Sequence, residues 1–206
     1  MRKILFLGYS KKETQLIDFL NSKKNLLVTH HKNNKKISAE LLNNFDATIS
    51  YGYRFIIQKE VIENIKKPII NLHISYLPFN RGAHPNFWSF AENTPSGITI
   101  HELNNRIDSG KIVFQKQIDF ELLKNRNKLT FNKTYKKLIL EVENLFKVNY
   151  KNLLSYDYDS SEQVGKGSFH KLSDLPSIVK DWNQNIFETV QRYNEEKSKF
   201  IRRNIL

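Results

Sequence analysis

The chain has 206 residues, 39% hydrophobic and 12% aromatic, which is enough to bury a core and excludes a disordered chain. With no cysteine, disulfides, thiolate metal sites and a cysteine nucleophile are excluded. Lys and Arg number 33 against 21 Asp and Glu, and the resulting formal charge of +12 attracts polyanions: nucleic acid, anionic lipid or phosphorylated small molecules. The basic pairs Lys23-Lys24, Lys35-Lys36, Lys66-Lys67 and Lys136-Lys137 are dispersed. The charge therefore reads as a solvated surface, and nucleic acid is not an expected partner. The apolar part of Met1 to Gly8 is too short for a signal peptide, and no apolar run reaches the length of a membrane span. The expectation is a soluble, cytoplasmic, globular protein without a membrane partner.

Along the chain, residues 3–7 form a short apolar run that ends at Gly8. Leu16, Ile17 and Leu20 have helical spacing within 14–20, and 26–29 reads as a strand. A short helix is predicted over 37–45, with Ser38 as N-cap. A strand over 46–50, a helix over 58–65 and a strand over 68–73 complete an alternation typical of βαβ units. The fold class is therefore α/β, a Rossmann-like, mostly parallel sheet flanked by helices. Ligands in such sheets sit beyond the carboxyl ends of the strands. That directs attention to Gly8-Tyr9-Ser10, to Tyr51-Gly52-Tyr53-Arg54 and to the segment after Ile70.

Phe87, Trp88 and Phe90 read as core on a short helix. Residues 98–101 and 112–118 alternate like two further strands around a loop at 103–111. A long helix is predicted over about 129–150 from the stripe Leu138, Val142, Leu145 and Phe146. Residues 156–163 are polar and loop-like. Gly165-Lys166-Gly167 lacks the spacing and the following Ser or Thr of a phosphate loop, and reads as a hairpin turn. A last helix is predicted over 184–199. The chain divides into a main domain, 1–150, and a small helical and hairpin appendage, 151–206.

The chemistry concentrates in Asn71-Leu72-His73-Ile74-Ser75-Tyr76-Leu77-Pro78, then Asn80-Arg81-Gly82 and Asp108-Ser109-Gly110. On a strand Asn71, His73 and Ser75 share one face. Polar side chains there need partners or a task, because unpaired burial costs about 1–3 kcal/mol each. Arg81-Gly82 reads as a turn that presents a guanidinium to an anion. An amide, an imidazole and a carboxylate together suit acyl transfer to an amine. The amide N–H holds a developing oxyanion, the imidazole moves a proton or stabilises that charge, and the carboxylate orients the imidazole and collects a proton. His30-His31 and His101-Glu102 lack a third ligand at suitable spacing, so no metal is expected.

These residues resemble the N10-formyltetrahydrofolate-dependent formyltransferases. The likeness is carried by Asn71-x-His73-x-Ser75-x-Leu77-Pro78, Arg81-Gly82 and Ile107-Asp108-Ser109-Gly110, and is good over about 46–118. The wording NLHISYLPFNRGAHPNFWS from Asn71 to Ser89 looks most like the sugar N-formyltransferases. The resemblance implies that Asn71, His73 and Asp108 are catalytic. It also implies that the donor, N10-formyltetrahydrofolate, meets the loop Tyr51, Gly52, Tyr53, Arg54, Phe55 and Ile56, largely through its backbone. Tyr9, Ser10, Arg81, His84 and Asn86 are the candidates for the acceptor. The implied acceptor is the primary amine of a nucleotide-linked, dTDP-linked by expectation, amino-dideoxy sugar destined for surface polysaccharide such as O-antigen. A homodimer joined partly through 151–206 is implied as well.

The departures are a short chain before Asn71, with trimmed first βα units, and a mainly helical stretch of 86 residues after Phe120 where the tRNA enzymes carry a barrel. Alternatives within the class are methionyl-tRNA or a small ribonucleotide amine as acceptor. The competing class is a basic, non-catalytic nucleic-acid-binding module, which explains the charge but leaves Asn71, His73 and Asp108 as coincidence.

Overall fold

The computed structural model describes residues 1–32, 36–120 and 128–205, so Lys35 of the dispersed basic pairs lies outside the described residues. In chain order the elements are β1 (Arg2–Gly8), α1 (Leu16–Asn21), β2 (Leu26–His31), α2 (Ala39–Asn43), β3 (Ala47–Tyr51), α3 (Lys59–Asn64) and β4 (Ile69–His73). They continue with β5 (Arg81–Gly82), α4 (Pro85–Ala91), β6 (Gly97–Glu102), β7 (Ile112–Gln117), α5 (Phe131–Ser155), β8 (Phe169–His170) and α6 (Ile186–Ile205). The predicted elements all form, the two long helices α5 and α6 running five and six residues past their expected ends at 150 and 199. Ser38 caps α2 as expected, its side chain accepting from the backbone of Leu41 at 3.2 Å.

Six strands make one sheet in the order β2-β1-β3-β4-β6-β7. β1 pairs parallel with β2 and β3, and β3 parallel with β4, while β6 runs antiparallel to β4. The sheet is thus mostly parallel, as expected. β1 explains its own central place. Ile4, Leu5, Phe6 and Leu7 are all buried, because a parallel strand covered on both faces has no polar side to alternate.

The chain divides into two compact units whose segments interleave. The first comprises Met1–His73, Thr99–Gln115 and Glu141–Val164; the second comprises Ile74–Ile98, Lys116–Leu140 and Gly165–Leu206. In the first unit the core gathers Leu5, Leu7, Ile37, Leu42 and Ile69. The second half of α5 is tied to the α1 region by a buried hydrogen bond of 2.7 Å from the Thr14 hydroxyl to the Glu143 carboxylate.

In the second unit Phe87 and Trp88 of α4 are buried and pack edge to face. That is the core reading expected of them. β5 and β8 form a two-stranded parallel pair, Arg81 with Phe169 and Gly82 with His170. Two expectations are corrected here. Arg81-Gly82 is a strand, not a turn. Gly165-Lys166-Gly167 is not a hairpin turn either, because the strand it leads into pairs in parallel with β5. Gly167, at φ +62, allows the backbone to pass Pro78 so closely that a Cβ would strike the Pro78 carbonyl oxygen. A third correction concerns Ser75: β4 ends at His73, and Ser75 donates instead to the carbonyl of Phe79 at 2.6 Å in the turn that follows.

Candidate active site

The first unit gathers polar side chains at the carboxyl end of β4. Asn71 and His73 alternate onto one face of that strand, and the antiparallel register of β6 sets His101 directly opposite Asn71. Asp108 comes from the loop between β6 and β7. Its backbone lies at φ +48, a left-handed conformation that Asp adopts more readily than most residues. Asp108 Oδ1 lies 3.5 Å from Asn71 Nδ2 and 3.5 Å from His101 Nε2, and Asp108 Oδ2 lies 3.7 Å from His73 Nε2. The three residues expected from the sequence are thus brought together, although Asn71 and Asp108 are 37 positions apart.

His101 is the member that sequence reasoning missed. It is fully buried, with Nδ1 2.8 Å from the carbonyl of Glu102 and Nε2 3.0 Å from Asn71 Nδ2. A carbonyl only accepts, so Nδ1 carries a proton, and in the tautomer with Nε2 bare that nitrogen accepts. In that tautomer Asn71 Nδ2 donates to His101 Nε2. A proton on Nε2 would set N–H against N–H and turn the amide round. The available signal was parity: with Ile98 and Ile100 buried on one face of β6, Thr99 and His101 share the other.

The loop after β3 interlocks with the turn after β1. Gly8, at φ +104, approaches so closely that a Cβ would meet the Tyr51 carbonyl, while a Cβ on Gly52 would meet the Tyr9 ring. Tyr9 N–H donates to the Tyr51 carbonyl at 2.8 Å, and the two rings stand edge to face at 4.8 Å. The Tyr51 side chain is buried, Tyr53 and Phe55 are half-buried 5.7 Å apart, and Arg54 and Ile56 are exposed. Burial raises the Tyr53 hydroxyl above its ordinary pKa, so it stays protonated. Ser10 is engaged by Glu13, whose carboxylate accepts from both its N–H and its hydroxyl at 2.9 Å and is thereby held below the usual range.

The remaining acceptor candidates lie in the second unit. Arg81 is half-buried on β5. His84 precedes α4 at φ +53 with its ring 5.4 Å from Trp182, and burial lowers its pKa. Asn86 is buried, its amide donating to the Phe131 carbonyl at 2.9 Å while its carbonyl oxygen has no hydrogen-bond partner among the described residues. Among the described residues no group of three or more His, Cys, Asp or Glu is arranged to hold a metal ion. No described helix is long and apolar enough to cross a membrane.

Residues 5–138 match the formyl transferase family. Among solved structures, the formyltransferase PseJ from Anoxybacillus kamchatkensis, in complex with UDP-4,6-dideoxy-4-formamido-L-AltNAc and tetrahydrofolate, is 36% identical. Its TM-score is 0.79, and the match covers 91% of this chain and 97% of that one. A dTDP-4-amino-4,6-dideoxyglucose formyltransferase of Mycobacterium bovis is 28% identical over 83 residues, 40% of this chain and 35% of the relative. A methionyl-tRNA formyltransferase of Buchnera aphidicola is 28% identical over 153 residues, 73% of this chain and 47% of that relative. The matches thus span between about a third and a half of these two curated relatives.

Proposed function

Because the chain belongs to the formyl transferase family, we propose that it is a sugar N-formyltransferase. It would pass the formyl group of N10-formyltetrahydrofolate to the primary amine of a nucleotide-linked amino-dideoxy sugar. The observation that carries this reading is the meeting of Asn71, His73 and Asp108 at the end of β4. In the proposed reaction the amine nitrogen bonds to the formyl carbon and the bond from that carbon to N10 breaks. Asn71, held by His101, offers an N–H to the formyl oxygen as charge develops there, and His73 supports the same charge or takes a proton. Asp108 accepts the proton that the amine sheds and passes it on to N10, which leaves as tetrahydrofolate with no net proton released. Holding both substrates together supplies much of the acceleration.

Support for a sugar acceptor comes from the 36%-identical relative, whose complex contains a UDP-linked 4-formamido sugar. The corresponding UDP-linked 4-amino sugar is therefore the first acceptor to test, with the dTDP-linked 3-amino and 4-amino sugars next. The product would serve surface polysaccharide, O-antigen included, from the cytoplasm. The loop 51–56 would line the folate, with Tyr9, Ser10, Arg81, His84 and Asn86 toward the acceptor, and residues 1–150 forming the catalytic domain. A homodimer would form partly through 151–206.

The deciding experiment supplies N10-formyltetrahydrofolate with this panel and follows products by mass spectrometry. One formyl group gained on one sugar is the expected result. Silence with folate still bound moves the acceptor to another amine, methionyl-tRNA or a ribonucleotide amine. Silence without folate binding, together with tight, steeply salt-dependent nucleic-acid binding, would favour the basic binding module instead.

A further inference from the structure

Past the end of α5 the chain does not leave the first unit. The Tyr156 hydroxyl donates to the Pro68 carbonyl at 3.1 Å, just before β4. The Tyr158 hydroxyl donates to the Glu102 carboxylate at 3.0 Å, at the end of β6. Burial and the Glu102 charge push that hydroxyl well above the tyrosine range, and burial pushes Tyr156 up to about 12, so both remain donors. Ser161 and Ile112 exchange backbone hydrogen bonds of 2.8 and 2.9 Å at the start of β7. Residues 156–163 therefore form a strap across the strand ends on either side of the Asp108 loop.

The strap ends at the loop itself. Gln163 Nε2 donates to the carbonyl of Asp108 at 2.9 Å and to that of Gly110 at 2.8 Å. An amide nitrogen carries two hydrogens, so one side chain engages a carbonyl with each and fixes the curve of the backbone between them. Within the loop, Asn104 Oδ1 accepts from Arg106 N–H and from the Ser109 hydroxyl, both at 2.9 Å. Gly110 runs against the Glu102 carbonyl where any Cβ would clash. Asp108 itself is in the left-handed region, where its backbone depends on surrounding contacts.

We infer that Gln163 is a positioning residue for Asp108: its amide, gripping the carbonyls of residues 108 and 110, holds the carboxylate in reach of Asn71, His73 and His101. This rests on reading Asp108 as the group that accepts the amine proton. Gln163 touches no reacting atom. It acts on the direction in which the Asp108 side chain leaves the loop, and displacement by about 1 Å is enough to cost a large share of the rate.

Two measurements on the full chain test this. With the acceptor identified by the panel, Gln163→Leu is expected to lower kcat about tenfold with both KM values within about twofold, and the same change in an Asp108→Asn background to lower it less than about twofold. Equal losses in both backgrounds, an effect on KM alone, or no loss would overturn the positioning role. If Asp108→Asn itself leaves kcat within about threefold, the catalytic reading of Asp108 fails instead. The second measurement needs no substrate: the carboxyl ¹³C resonances of Asp108 and Asp46 are compared in wild type, Gln163→Leu and Gln163→Glu. Asp46 accepts from the Lys3 N–H at 2.8 Å in the same unit and reports general loosening. The Asp108 signal is expected to shift or broaden while Asp46 stays put. Both moving together, or neither moving, would sink the clamp whether or not an acceptor has been found.

Discussion

Both units bury polar side chains, and the contrast between them separates architecture from chemistry. In the second unit Asn80 is fully buried. Its N–H donates to the Ser168 hydroxyl at 2.8 Å, its amide to Thr94 at 2.8 Å, and it accepts from Ser168 at 3.1 Å. His170 stacks on Trp88 at 3.9 Å with its planes 7° apart, and its Nε2 faces a single carboxylate, Glu92, at 3.2 Å. That last pair meets an ion-pair distance without hydrogen-bond geometry, so packing on the indole is its firmer contact. These groups are spent on one another or on a ring face. In the first unit an amide, two imidazoles and a carboxylate of unlike chemistry converge at 3.0–3.7 Å on one strand end. Burial of polar groups is common to both; among the described residues, the second unit pairs one imidazole with one carboxylate, while the first brings four such side chains to one strand end.

The sharpest way to break this contrast is at the converging groups. His73→Asn and Asp108→Asn are each expected to lower kcat by about 10²-fold or more, measured in folded protein. His101→Leu, which leaves Asn71 without its acceptor, is expected to lower kcat about tenfold with KM unchanged. His101→Gln, whose carbonyl can still accept from Asn71, should recover most of that loss. A uniform loss for both substitutions would show His101 to be mere filling.

In the second unit the expected currency is stability. Asn80→Ala strands the Ser168 and Thr94 hydroxyls and should cost about 2–3 kcal/mol in denaturant unfolding while kcat stays within about twofold. A collapse of kcat at full stability would erase the distinction between the units.

The smallest effect concerns His84. Its folded pKa is lowered, so below about pH 6.5 the unfolded chain takes up the proton first and stability falls until the lowered folded value is passed. Half-exposure keeps the effect small. Between pH 7.5 and 5.5 wild type should lose about 1–2 °C more in Tm than His84→Asn, a residue that tolerates the same left-handed backbone.

Sequence patterns resolved the sheet well because its strands are short apolar runs between turn residues, and β1 needs no partner information to be recognised as buried. Asn71, His73 and Asp108 were legible because two short linear motifs, Asn71-x-His73 and Ile107-Asp108-Ser109-Gly110, carry them in order. His101 was not, since its meeting with Asn71 is a matter of antiparallel register between strands whose pairing no local pattern states. Ser75 misled for the opposite reason: alternation continues on paper past the residue where β4 ends. The parallel pairing of β8 with β5 joins segments 88 residues apart, and the glycines before β8 looked like an ordinary local turn. Gln163 sat in a stretch legible only as polar loop.

The strap also bears on the order in which the protein can become whole. A nascent chain that has just completed the family-matched stretch at residue 138 already contains Asn71, His73, His101 and Asp108. It still lacks Tyr156, Tyr158, Ser161 and Gln163, so the loop bearing Asp108 has none of its outer ties until some 25 further residues have been made and folded back. A fragment truncated at 155 would carry Asn71, His73, His101 and Asp108 without the hydrogen bonds that tie residues 156–163 to the strand ends and to the Asp108 loop.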